Sequence, residues 1–116
     1  MISVGAYAEL PVDEALRVEA DVPIAVFRLA DGSVYAIDDT CTHQRASLAD
    51  GFVEDCKVEC PLHAVCFDLR TGEPDGVLTR TPVRTHQVIV SDGQVYVRLC
   101  GEPPPAAGGR TEVDVA

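Results

Sequence analysis

Residues 41–63 read CTHQRASLADGFVEDCKVECPLH, and the fold follows from how this stretch is read. It carries two Cys-His pairs: Cys41 with His43, one residue between them, and Cys60 with His63, two between them. Residues 44 to 59 separate the pairs. Two thiolates and two imidazoles make a four-coordinate set suited to a soft or borderline metal. Each pair is read as a tight loop at the tip of a hairpin, and Pro61 stiffens the second loop by fixing its own φ. Zinc is the first candidate for such a set. Zinc fingers, however, place both cysteines in one loop and both histidines on a following helix. Here each loop supplies one of each, and no helical pattern follows. That mixed order suits a dinuclear centre better, with two cysteines on one iron of a 2Fe–2S cluster and two histidines on the other.

The flanks read as short strands. Ile2 to Val4, closed by Gly5, and the alternating ALRVEA of Ala15 to Ala20 come first. Ile24 to Leu29 is β-branched and aromatic, and pairs with the preceding run across Asp21-Val22-Pro23. Asp31-Gly32 then marks a hairpin into Val34 to Ile37. A helical turn is expected around Pro11 to Ala15. Beyond the central stretch, Cys66 to Leu69 reads as a strand and Thr71-Gly72 as a turn. Thr85 to Val90 and Gln94 to Leu99 flank Asp92-Gly93, a second hairpin. No amphipathic helix of ten or more residues is present, so the class is all-β, a sandwich-like or barrel-like body. We expect one domain over residues 1–100, with the Cys/His stretch, about 40–75, inserted as a lobe. Residues 101–116, GEPPPAAGGRTEVDVA, should form a flexible tail.

The sequence CTHQRASLADG, then CPLH followed by FDLRTGEP, resembles the Rieske proteins, in particular the soluble ferredoxins of bacterial ring-hydroxylating dioxygenases. The resemblance covers nearly the whole chain: a strand-rich start ending in VYAIDDTCTH, the cluster lobe, then TPVRTHQVIVSDGQVYV at the end; Ala46, Leu48, Gly51, Phe67, Asp68, Thr71 and Gly72 belong to it. It implies a Rieske fold, an antiparallel basal β-domain with an inserted cluster-binding lobe. It further implies a 2Fe–2S cluster, Cys41 and Cys60 on the inner iron, His43 and His63 on the exposed one. The implied role is electron transport without catalysis: one electron taken from a flavin-containing NAD(P)H reductase and passed to a terminal oxygenase of aromatic hydrocarbon catabolism. A monomer making transient contacts is expected. Rieske subunits of cytochrome bc complexes add a cysteine to each loop and place Ser and Tyr hydroxyls near the cluster. The matching positions here are Ala46 and Leu62, then Val65 and Phe67. Fewer hydrogen bonds to sulfur stabilise the reduced cluster less, so the expected potential is low, roughly −150 mV. Ala64 departs from the family's usual Gly after the second His. Two alternatives stand beside this reading: a Rieske-like small subunit of a larger oxidoreductase such as nitrite reductase, and a structural zinc-binding module.

Composition bounds these readings. With 116 residues and 47% hydrophobic content, a small real core is available. No run of 18 apolar residues occurs, so a membrane span is not expected, and no secretory leader is read at the start. The expected location is cytoplasmic. A net charge of −10 argues against nucleic acid and favours steering towards a basic protein. Between Asp38 and Arg80 acidic residues outnumber basic ones by nine to four, which makes an acidic docking face around the histidines plausible. Cys56, Cys66 and Cys100 are read as small thiols rather than disulfides, Arg45 as a steering or solvated cation, and His86 as a structural or surface residue.

Overall fold

The structure, a computed structural model, describes residues 1–42, 46–61, 65–75 and 81–100. Among the described residues ten strands form two antiparallel sheets: β1 (Ile2–Ala6), β2 (Glu14–Glu19), β3 (Pro23–Arg28), β4 (Val34–Asp38), β5 (Phe52–Glu54), β6 (Lys57–Glu59), β7 (Cys66–Asp68), β8 (Pro74–Asp75), β9 (Thr85–Ser91) and β10 (Gln94–Arg98). A six-stranded sheet runs β1-β10-β9-β4-β3-β2. A four-stranded sheet runs β5-β6-β7-β8, and all its strands fall between β4 and β9 in the chain. The only helical turns among the described residues are two 3₁₀ turns, Tyr7–Glu9 and Leu48–Asp50, and no helix is long and apolar enough to cross a membrane.

Strand β3 explains the layering. Ile24, Ala25, Val26 and Phe27 are all buried, as a strand covered on both faces requires. Because side chains alternate, Ile24 and Val26 enter one core with Leu10, Ala36, Val95 and Val97. Ala25 and Phe27 enter the other with Val58, Phe67, Leu69 and Val83. The first core joins strands from both halves of the large sheet, so that sheet curls over itself. The second joins it to the small sheet. Fully burying Phe27 and Phe67 contributes roughly 1.5–3 kcal/mol each.

The hairpin signals differ in how literally they hold. Asp92-Gly93 is a two-residue loop between Ser91 and Gln94, with φ 52° and 75°. Two positive φ values make a type I′ turn, whose twist suits the strands it joins. Asp31-Gly32 lies in a wider loop, because the last pair is Arg28 with Val34. The helical turn expected around Pro11 to Ala15 is corrected: the 3₁₀ turn lies earlier, at Tyr7–Glu9, and Ala15 is already in β2. Val12 bridges to Arg28, and the Asp13 N–H donates to the Arg28 carbonyl at 2.7 Å, so β3 draws this segment out as strand. The hairpin β5–β6 has no counterpart in the sequence reading. Its turn is Asp55-Cys56, φ 55° and 62°, a second type I′ turn built without glycine.

Candidate metal centre

The two cysteines of the motif occupy equivalent positions. The Cys41 N–H donates to the Ala46 carbonyl at 2.9 Å, and the Cys60 N–H donates to the Val65 carbonyl at 2.7 Å. Each bond reaches five residues forward and closes a loop that begins on a cysteine. Cys41 follows β4 across Asp39-Thr40, and Cys60 directly follows β6. Both are buried, at 3% and 0% exposure, in the core shared by the two sheets. Expectations at His43, Arg45, Leu62, His63 and Ala64, and over residues 101–116, lie outside the described residues. No disulfide joins any of the five cysteines, and Cys56, Cys66 and Cys100 are half-buried.

Two adjacent carboxylates hold the first loop to the large sheet. Asp38 and Asp39 end the β4 run, and strand alternation sends their side chains to opposite sides. Asp39, 1% exposed, accepts from the Ser47 hydroxyl at 2.7 and 2.9 Å and from the Ala49 N–H at 2.8 Å. Arg17 of β2 stands 3.6 Å from the same carboxylate. The Asp39 carbonyl accepts from the Leu48 N–H at 2.7 Å, so one residue anchors the Leu48–Asp50 turn through both backbone and side chain.

Asp38 faces the exit of the small sheet. Its carboxylate pairs with Arg84 at 3.2 Å and with His86 Nε2 at 2.8 Å. His86 Nδ1 accepts from the Cys100 N–H at 3.0 Å, which assigns the donating proton to Nε2. His86 is therefore buried and doubly bonded rather than a surface residue. The Thr42 hydroxyl donates to the Thr81 carbonyl at 2.7 Å, a further tie between the first loop and the exit segment. Sequence reading took Asp38 and Asp39 only as a lead-in. Two consecutive carboxylates closing an apolar strand were the available signal, since each must find a partner on its own side when buried.

The described ends of the second loop are held by packing. Cys60 and Val65 lie in the same buried core as Val58 and Phe67. A Cβ on Gly51 would stand 2.1 Å from the Glu59 carbonyl oxygen, so only glycine lets the chain after the first loop pass this close to β6. Gly72, φ 80°, makes a similar approach to Val83, whose N–H donates to the Gly72 carbonyl at 2.9 Å. On the outer face, partial burial and then the Glu59 and Asp75 carboxylates push the Cys66 thiol up. Hydrogen bonding from Arg70 pulls the Asp68 carboxyl down.

The profile of the Rieske [2Fe-2S] domain matches residues 1–87. The chain belongs to the Rieske family. This Rieske domain is 46% identical over 96 residues to the anthranilate 1,2-dioxygenase ferredoxin subunit of Burkholderia cepacia, covering 82% of this chain and 88% of that one. Among solved structures it is similar to a complex of reduced oxygenase and oxidized ferredoxin in carbazole 1,9a-dioxygenase. There the TM-score is 0.79 at 35% identity, with 84% of this chain and 100% of the matched chain covered. It is also similar to a putative NADH-dependent nitrite reductase small subunit from Mycobacterium tuberculosis, TM-score 0.77 at 27% identity, covering 85% and 95%. The family's cofactor is a 2Fe–2S cluster, and the described half of the donor set fits it. Two water-excluded thiols begin two loops closed by the same backbone bond, at the junction of the two sheets.

Proposed function

We propose that this chain is a Rieske ferredoxin, a carrier that takes single electrons from a flavin-dependent NAD(P)H reductase and delivers them to a terminal oxygenase. The observation that carries the reading is the match to a ferredoxin subunit at 46% identity, with more than four fifths of both chains covered. Cys41, His43, Cys60 and His63 are the proposed ligands, and the cluster they hold supplies one reversible electron without a vacant position for substrate. The remaining work belongs to the chain. The core around Cys41 and Cys60 keeps water from the thiolate side. Val65 and Phe67, buried beside Cys60, carry no hydroxyl to donate to sulfur, which supports a potential at the low end of the Rieske range. The domain is proposed to span residues 1–100, with the lobe over about 40–75, a tail after it and a cytoplasmic location. The carrier docks as a monomer through small, transient interfaces.

The test is reconstitution. Purified protein should contain iron and labile sulfide in equal amounts, and Cys60→Ser should lose both. With NADH and the reductase and oxygenase components of the Burkholderia cepacia anthranilate system, oxygenation should depend on adding this chain. Stoichiometric zinc instead of iron would overturn the reading. The likeness to a nitrite reductase small subunit favours a second reading, a fixed subunit of a larger enzyme. Inseparable copurification with a large partner from the native host would select it.

A further inference from the structure

The outer face of the small sheet is a feature that the cysteine ligands leave unused. Pairing across β5, β6, β7 and β8 aligns Phe52, Glu59, Cys66 and Asp75 in one cross-strand row. Glu54, Lys57 and Asp68 form the next row. Val53, Val58 and Phe67 point the opposite way, into the shared core. The first row is the one nearest the cysteine loops. Glu59 precedes Cys60, Cys66 follows Val65, whose carbonyl closes the second loop, and Phe52 follows Gly51, which presses against Glu59. Phe52 is 68% exposed on an edge strand, an unusual place to leave an aromatic ring. Four carboxylates, Glu54, Glu59, Asp68 and Asp75, share the face with it; Lys57 pairs with Asp75 at 3.7 Å and Arg70 with Asp68 at 3.2 Å, so the face keeps a net negative charge carried by Glu54 and Glu59.

We propose that this face is a docking surface for the terminal oxygenase, Phe52 entering an apolar socket ringed by Arg and Lys side chains. The proposal rests on the ferredoxin reading above and adds to it the place of contact. An exposed aromatic beside a rim of like charge has the anatomy of a hot spot. The carboxylates complement a basic ring and continue the field of a chain whose net charge is −10. One anchor and a polar rim also suit an encounter that must form and dissociate at every electron.

The experiment uses the cluster-loaded full chain, reduced with dithionite and mixed without oxygen with the oxygenase component of the Burkholderia cepacia anthranilate system. Oxidation of the ferredoxin is followed by stopped-flow absorbance. Phe52→Ala should lower the second-order rate constant about tenfold, while the rate with ferricyanide, which needs no docking surface, stays at the wild-type value. Glu59→Gln with Asp75→Asn should flatten the dependence of the rate on ionic strength. A Phe52→Ala protein that matches wild type with the oxygenase overturns the docking surface and leaves the ferredoxin reading standing. An equal loss with ferricyanide also overturns it, because the defect then lies in the cluster. A wild-type protein that passes no electron to the oxygenase overturns both.

Discussion

The two cysteine loops are closed by the same backbone hydrogen bond but held in place by opposite means. The loop that begins at Cys41 is tied by polar groups: Asp39 to Ser47, Ala49 and Arg17, and Thr42 to Thr81. The loop that begins at Cys60 is set into a packed apolar wall of Val58, Val65 and Phe67, with Gly51 pressed on Glu59. The difference follows from where each loop leaves its sheet. Cys41 leaves β4 at the seam between sheets, where backbone groups lose their ladder partners and buried acceptors must replace them. Cys60 and Val65 flank two paired strands, β6 and β7, whose ladder already satisfies the backbone. Polar clasps hold the described ends of the first loop; packing density holds those of the second.

Substitutions can break this contrast. Phe67→Ala empties the wall behind Cys60 and should cost about 3–5 kcal/mol, read by chemical denaturation of the cluster-loaded protein. Asp39→Ala should cost about 2–3 kcal/mol, because it leaves the Ser47 hydroxyl and the Ala49 N–H without their acceptor. Arg17 adds little to that figure, since its side chain is half exposed and screened. Asp39→Asn keeps an acceptor oxygen and should recover more than half of the loss. If Asp39→Ala proved the costlier of the first two, the first loop would be the stronger attachment and the contrast would invert.

These two attachments were not equally legible in the sequence. The spacing of the two Cys-His pairs was plain, and the structure brings its two cysteines, Cys41 and Cys60, to the starts of equivalently closed loops. The Asp92-Gly93 hairpin was equally plain, since both residues adopt the positive φ that the turn requires. The β5–β6 hairpin was hidden for the converse reason. Its turn residues, Asp55 and Cys56, do not form the usual Asx-Gly pair, and strands of three residues are too short to show alternation. The burial of His86 and Asp39 was hidden because it depends on partners eight to forty-eight positions away. A periodicity argument sees only neighbours.

The interval between the loops offers a finer test. Gly51 has an ordinary φ of −86°, so alanine there meets no backbone strain and the whole penalty must be steric. With its Cβ directed at the Glu59 carbonyl oxygen, Gly51→Ala should cost about 2 kcal/mol as β6 is forced away. The displacement should also shift the visible absorption of the bound cluster, since Glu59 adjoins Cys60. A stable Gly51→Ala protein with unaltered absorption would show that packing behind the second loop yields more readily than its density suggests.

The smallest effect belongs to a polar contact on the second, packed side. Asp68 ends β7 and accepts from Arg70 through its backbone N–H at 2.7 Å and its guanidinium at 3.2 Å. These bonds hold the Asp68 carboxyl below its ordinary value of 3.8. A carboxyl depressed on folding adds stability above the unfolded value, and that stability is lost as pH falls through the folded one. The window therefore lies below about pH 4. Arg70 is 60% exposed, so the contribution should stay under about 1 kcal/mol and shrink with salt. Asp68→Asn should leave stability near neutral pH within that margin and make the acid limb of the stability curve shallower. Asp39→Ala, by contrast, should show a clearly larger change at neutral pH. A carboxylate on the surface of the packed loop can be removed cheaply because water replaces its partners; a buried one at the seam has no such substitute.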